Sequence, residues 1–139
     1  MTRPFTGGCA CGAVRYEVVG EPAAMTACQC RQCQHQSGTG HASYLGFAQA
    51  SVTLEGTPSH WQATGDGGTV KRSAFCPTCG SFLFWQPLVD GVPGPTISFA
   101  MGSVEGASGL RTAHHIFIAD KGDYYEIEGG VEQHEGDWG

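Results

Sequence analysis

Three thiols within six residues constrain this chain more than any other feature: Cys28-Gln29-Cys30-Arg31-Gln32-Cys33. Cys28 and Cys30 stand two apart, so an extended backbone points both sulfurs to one face. Cys33 follows Cys30 at the C-x-x-C spacing, which lets a tight turn aim both sulfurs at one point. The triplet can therefore grip one Zn²⁺ with three thiolates. Three protein ligands and an open position is the pattern of a catalytic zinc, whereas a structural site is closed by four. The remaining ligand-type residues decide between the two.

Two further cysteine pairs flank the triplet. Gly7-Gly8-Cys9-Ala10-Cys11-Gly12 places two sulfurs on one side of an extended chain, and its glycines permit close backbone approach to a metal. Phe75-Cys76-Pro77-Thr78-Cys79-Gly80 reads as a zinc knuckle: Pro77 sets the turn and Gly80 tolerates the geometry after the second ligand. The total is seven cysteines, an odd number that cannot pair off within one chain. Clustered thiols in a reducing compartment read as metal ligands. The two outer pairs together supply the four sulfurs of a closed tetrahedral site. Two other partitions stand beside this one: His35 closing the triplet, or the triplet serving as redox thiols. Arg31, Lys71 and Arg72 are cations able to offset thiolate charge, although Lys71 reads first as a surface residue.

The chain has 139 residues, a length suited to one domain with a modest core. Its 22 glycines favour turns and short strands. A net charge of −6 opposes a general nucleic-acid binder. The opening Met1-Thr2-Arg3-Pro4 has no apolar run behind it, and no segment has the apolar length to span a bilayer, so a cytoplasmic protein without secretory signal is expected.

Strands are expected over Ala24 to Ala27, leading into the triplet, and over His41 to Leu45, and alternation predicts strands over Val14 to Val18 and around Val52 and Leu54. It predicts a hairpin of His60 to Thr64 and Thr69 to Phe75 across Gly65-Asp66-Gly67-Gly68. Further strands are Phe82 to Trp85, Ile97 to Met101, His114 to Ile118 and, last, Tyr124 to Ile127. Gln34 to Gly40, Pro87 to Pro95 and Gly102 to Gly109 read as loops, and the acidic tail as loose. The expectation is an all-β single domain.

Gly8-Cys9-x-Cys11-Gly12, Cys28-x-Cys30-x-x-Cys33 and Phe75-Cys76-x-x-Cys79-Gly80, in this order, resemble the glutathione-dependent formaldehyde-activating enzyme family. The domain is also similar to that of centromere protein V. The resemblance runs from about Thr6 to about Ile127 and absorbs every cysteine. It implies several short coiled β-sheets stapled by zinc, with two zincs per chain. Carried over, a structural zinc falls on Cys9, Cys11, Cys76 and Cys79, and a catalytic zinc on Cys28, Cys30 and Cys33. The implied activity is that of a carbon–sulfur lyase joining formaldehyde and glutathione to S-hydroxymethylglutathione. Its partner is a small thiol or thiol adduct. Seven Lys and Arg, with Lys71-Arg72 the one adjacent pair, are a thin supply of cations for a ligand carrying two carboxylates.

Three thiolates make a zinc a milder Lewis acid than three histidines, which suits holding a thiolate more than generating hydroxide. His35, His41, His114 and His115 are the proton-shuttle candidates by residue type. His114 and His115 are consecutive on a predicted strand, so they face opposite sides. The competing reading is a non-catalytic zinc-stabilised interaction module. The fourth ligand at the triplet discriminates: water or substrate for the enzyme, a side chain such as His35 for the module.

Overall fold

The computed structural model describes residues 4–48, 50–65, 67–106 and 109–137. Asp66 of the expected hairpin connection, Ala107 and Ser108 of an expected loop, and the two ends of the chain lie outside the described residues. Strands dominate, as the alternating segments require. β1 (Phe5–Gly8) and β2 (Arg15–Val19) pair antiparallel across the first cysteine pair. Tyr16 and Val18 are buried while Glu17 and Val19 are exposed, the period of a strand wetted on one face. β11 (Val104–Glu105) flanks β1, and β5 (Ser51–Glu55) flanks β2, giving a four-stranded sheet.

The larger sheet, among the described residues, runs β13 (Glu132–Gln133), β12 (His114–Ile116), β3 (Pro22–Cys28), β4 (Ala42–Phe47), β10 (Ile97–Ala100), β8 (Phe82–Val89), β7 (Val70–Phe75) and β6 (Ser59–Thr64). β9 (Val92–Pro93) pairs with β8. The expected β6–β7 hairpin forms, with Thr64 opposite Val70. The two sheets meet through aromatic rings. Phe5 packs edge-on against Phe47 at 5.9 Å between centroids, and Tyr16 lies 4.5 Å from Phe99. Phe47 and Phe99 are almost wholly buried, and each such ring contributes about 1.5–3 kcal/mol by leaving water. The close backbone approach at Gly7 serves this packing rather than a metal. A Cβ there would collide with the Ser103 carbonyl and the Tyr16 ring.

Five expectations need correction. Gly102 to Gly109 is not simply a loop, because Val104 and Glu105 form β11 against β1. Gln34 to Gly40 is not simply a loop, because α1 (Arg31–Ser37) starts inside the triplet. Cys30 is its N-cap, its sulfur accepting the Cys33 N–H at 3.4 Å, and Gly38 closes it in the left-handed conformation at φ 75°. The segment Pro87 to Pro95 is also not a loop. β8 continues through Pro87 and turns at Asp90 (φ 52°) and Gly91 (φ 79°) into β9, the Asp-Gly pair supplying the positive φ values that a tight hairpin demands. Tyr124 to Ile127 is not a strand. The tail is not loose, since β13 pairs in parallel with β12, and His134 N–H donates to the His115 carbonyl at 2.9 Å.

Candidate metal centres

The sulfurs of Cys9, Cys11, Cys76 and Cys79 lie within 4.8 Å of one another. Cys9 and Cys11 arrive on the β1–β2 connection, Cys76 and Cys79 on the β7–β8 connection. Cys9 Sγ is 3.7 Å from Cys11 Sγ, and Cys11 Sγ is 3.8 Å from Cys76 Sγ. Zinc–sulfur bonds of about 2.3 Å make a tetrahedron with edges of about 3.8 Å, so the donor set fits that ion. None of the seven cysteines forms a disulfide.

Backbone N–H groups of Val14, Thr78 and Cys79 point at sulfur, the first at Cys9 at 3.3 Å and the others at Cys76 at 3.4 and 3.5 Å. Such donors favour thiolates. Gly80, at φ 78°, makes the turn that returns the knuckle to β8. Ser81 Oγ lies 3.2 Å from Cys79 Sγ and accepts the Ala10 N–H at 3.0 Å, linking the two halves of the cluster. The Ser81 hydroxyl, followed by the backbone of Ser81 and Cys11, pulls the Cys79 thiol down to about 5.

Cys28, Cys30 and Cys33 form the second group, again with sulfurs within 4.8 Å of one another. Cys28 ends β3, Cys30 caps α1 and Cys33 lies in its first turn. Among the described residues no fourth His, Cys, Asp or Glu joins them. His35 is exposed on α1 and does not join the group. Cys30 is held well below the ordinary thiol range because Cys28 and then Cys33 hydrogen-bond its sulfur, with Lys71 adding a favourable charge. Cys28 is correspondingly pushed up as donor to Cys30. Lys71 is therefore more than a surface cation: its Nζ sits 4.7 Å above the Trp85 ring. Arg31 turns instead to the Gln34 carboxamide within α1.

The triplet is set in an apolar hollow. Buried Ala42, Tyr44, Ala63 and Trp85 pack with Cys28 and Cys33, and Phe82 and Phe117 close against them. Tyr44 reaches this hollow from β4, where Ala42 pairs with Cys28 and Tyr44 with Thr26. Its hydroxyl is 3.1 Å from Cys33 Sγ, and burial pushes its pKa up, so it stays protonated as a donor. Tyr44 and Trp85 are invisible to sequence reading as site residues. The strand pairing that brings them beside the thiols cannot be read from local pattern.

The other histidines are placed elsewhere. His115 Nδ1 is 2.9 Å from the buried Gln29 carboxamide, His114 Nε2 is 2.9 Å from Thr26 Oγ1, and His41 stacks on Tyr125 at 4.7 Å. His114 lies near His134 and His115 near His41, in keeping with opposite faces. A cleft of about 620 Å³ opens near the four-thiol cluster, lined by Cys9, Arg15, Thr39, Ser43, Ser81 and Met101 among others. None of the triplet thiols lines it, although Ala42 and Phe82 belong both to its wall and to the hollow around the triplet.

A mostly β domain with separate four-thiol and three-thiol clusters defines a class of small cysteine-cluster proteins in which both groups could hold a metal ion. Within it, the chain belongs to the glutathione-dependent formaldehyde-activating enzyme family, whose model matches residues 4–120. A crystal structure of a Rhodobacter sphaeroides protein shares the fold, with a TM-score of 0.52 and 22% identity over 75% of this chain and 91% of that one. No curated protein sequence matches the chain. No helix among the described residues is long and apolar enough to cross a membrane.

Proposed function

We propose that this chain is a zinc-dependent carbon–sulfur lyase acting on a thiol adduct of the S-hydroxymethylglutathione kind. The observation that carries the reading is the contrast between the clusters. One gathers four sulfurs; the other gathers three against an aromatic cluster, with no fourth ligand group among the described residues. On this reading Cys9, Cys11, Cys76 and Cys79 hold a structural zinc, and Cys28, Cys30 and Cys33 a catalytic one. Bound at the triplet, zinc supplies a Lewis acidity tempered by three thiolates, suited to a substrate sulfur or its neighbouring oxygen.

The chain's own residues do the rest. Tyr44 holds the Cys33 sulfur through its hydroxyl. Phe82, Trp85 and Phe117 keep bulk water from the hollow. Lys71 offers a cation acting on Cys30, and would favour an anionic thiol. The functional unit is the whole chain, 1–139, as one zinc-binding domain with its core at about 6–127, working in the cytoplasm on a small thiol rather than on nucleic acid or membrane.

Titration of the cobalt-substituted protein with glutathione and other small thiols tests this. A perturbed sulfur-to-cobalt charge-transfer band, together with faster formation or decay of the hemithioacetal, is expected. The second reading, a non-catalytic zinc-stabilised interaction module, is favoured by Val89 and Val92, 61% and 62% exposed beside the β8–β9 turn. It takes over if no thiol moves the band and no hemithioacetal chemistry is accelerated.

A further inference from the structure

One polar group beside the three thiols has no hydrogen-bond partner among the described residues. Trp85 is 5% exposed, yet its indole Nε1 is buried without a hydrogen bond. An indole N–H is a donor only, and leaving it unmet in an apolar setting costs free energy on the scale of a lost hydrogen bond. Trp85 and Tyr44 pack in the same cluster, where the indole acts on the Tyr44 hydroxyl without meeting hydrogen-bond geometry. Tyr44 in turn lies against the Cys33 sulfur. When its proton points to that sulfur, its oxygen keeps free lone pairs. An unused donor and an unused acceptor therefore stand side by side next to the three thiols. A hydroxyl group is what such a pair complements, since it accepts one hydrogen bond and donates another.

We propose that the Trp85 indole N–H and the Tyr44 oxygen form the point at which the site recognises an oxygen on the carbon attached to a bound sulfur. This rests on the reading of the triplet as a thiol-adduct site. It makes Trp85 a specificity-determining residue: adducts carrying that oxygen are kept, and plain thioethers are not. Lys71 above the same ring and Trp61 at 6.2 Å from it fix the plane in which the N–H is presented.

The probes are S-acetylglutathione, with an acceptor oxygen on the carbon next to sulfur, and S-ethylglutathione, which lacks it. Binding to the zinc-loaded protein is measured by calorimetry, and the indole N–H band by ultraviolet resonance Raman. Wild type is expected to prefer the acetyl compound by about tenfold, roughly one hydrogen bond's worth. Trp85→Phe should bring the ratio of the two affinities near one. The Trp85 band, isolated by subtracting the Trp85→Phe spectrum, should shift with the acetyl compound alone. A wild-type ratio near one, or a preference that survives Trp85→Phe, overturns the proposal while leaving the thiol-adduct site standing. If Trp85→Phe does not fold, the wild-type spectrum decides: no N–H shift with the acetyl compound overturns it. Failure of both compounds and of glutathione to bind overturns the thiol-adduct reading beneath it.

Discussion

The Tyr44 hydroxyl lies 3.1 Å from the sulfur of Cys33, which ties β4 to the first turn of α1 at the three-thiol cluster. Tyr44→Phe removes that oxygen and little else. Partners of this kind that hold a metal ligand are worth about 10–100-fold in metal affinity. Chelator competition should therefore show one of two zincs released more easily, with the thermal midpoint shifted by no more than a few degrees. Unchanged release of both zincs would make the contact incidental.

Metal content and ligand loss should separate the two clusters. Protein purified without chelator should carry about two zincs by elemental analysis. Cys76→Ser breaks the four-sulfur set that joins two strand connections distant in the chain; structural zinc in small peptides contributes about 10–16 kcal/mol. That variant should be poorly folded. Cys28→Ser should keep much of its strand content and lose one zinc. Equal loss of solubility and melting temperature in both would merge the clusters into one structural role.

His41, half-buried, and His115, buried, give the fold a pH dependence with a definite sign. Burial holds His41 below the usual histidine range, and burial followed by the His41 charge does the same for His115. The unfolded chain takes up these protons near about pH 6.5, the folded chain only at lower pH. Between those values the unfolded state binds more protons, so stability falls as pH drops through that window. His41→Phe retains a ring to stack on Tyr125 and removes one titration. Its denaturation midpoint should fall less steeply than wild type between about pH 7 and 5.5; equal slopes would exclude the effect.

The tail is a strand partner, and removing it should be felt. Phe117 N–H donates to the Gly136 carbonyl at 2.9 Å, and Ile118 N–H to the His134 carbonyl at 3.1 Å. Truncation after Gly130 loses these along with the β12–β13 pairing. With each backbone bond worth about 0.5–1.5 kcal/mol, the melting temperature should drop by several degrees. A truncated chain as stable as the full one would return the tail to the status of a loose end.

The thiol sets were legible because ligand spacing is local chemistry: the triplet and the Cys76-Cys79 knuckle announce themselves within a few residues. The strand of Tyr16 was legible because it alternates against a wet face. α1 was hidden by its length, seven residues with no apolar stripe, although Gln32, Gln34 and Gln36 are good helix formers and Gly38 is a sound stop. The β8–β9 hairpin was masked by Pro87, Pro93 and Pro95, which outweighed the Asp90-Gly91 signal. Tyr44 and Trp85 could not be found because their role depends on which strands lie side by side. Histidine was the expected proton-handling residue near the triplet; a tyrosine and a tryptophan occupy that position.

The two clusters also differ in when a growing chain can make them. The triplet is complete once Cys33 has emerged, a span of six residues. The other set needs Cys9 to wait for Cys76 and Cys79, with 65 positions separating even Cys11 from Cys76. Closing so long a loop costs more chain entropy than closing the short one. A metal taken up on the ribosome would therefore meet the local triplet first, and the four-thiol clasp between the two sheets can close only after more than half the chain has been synthesised.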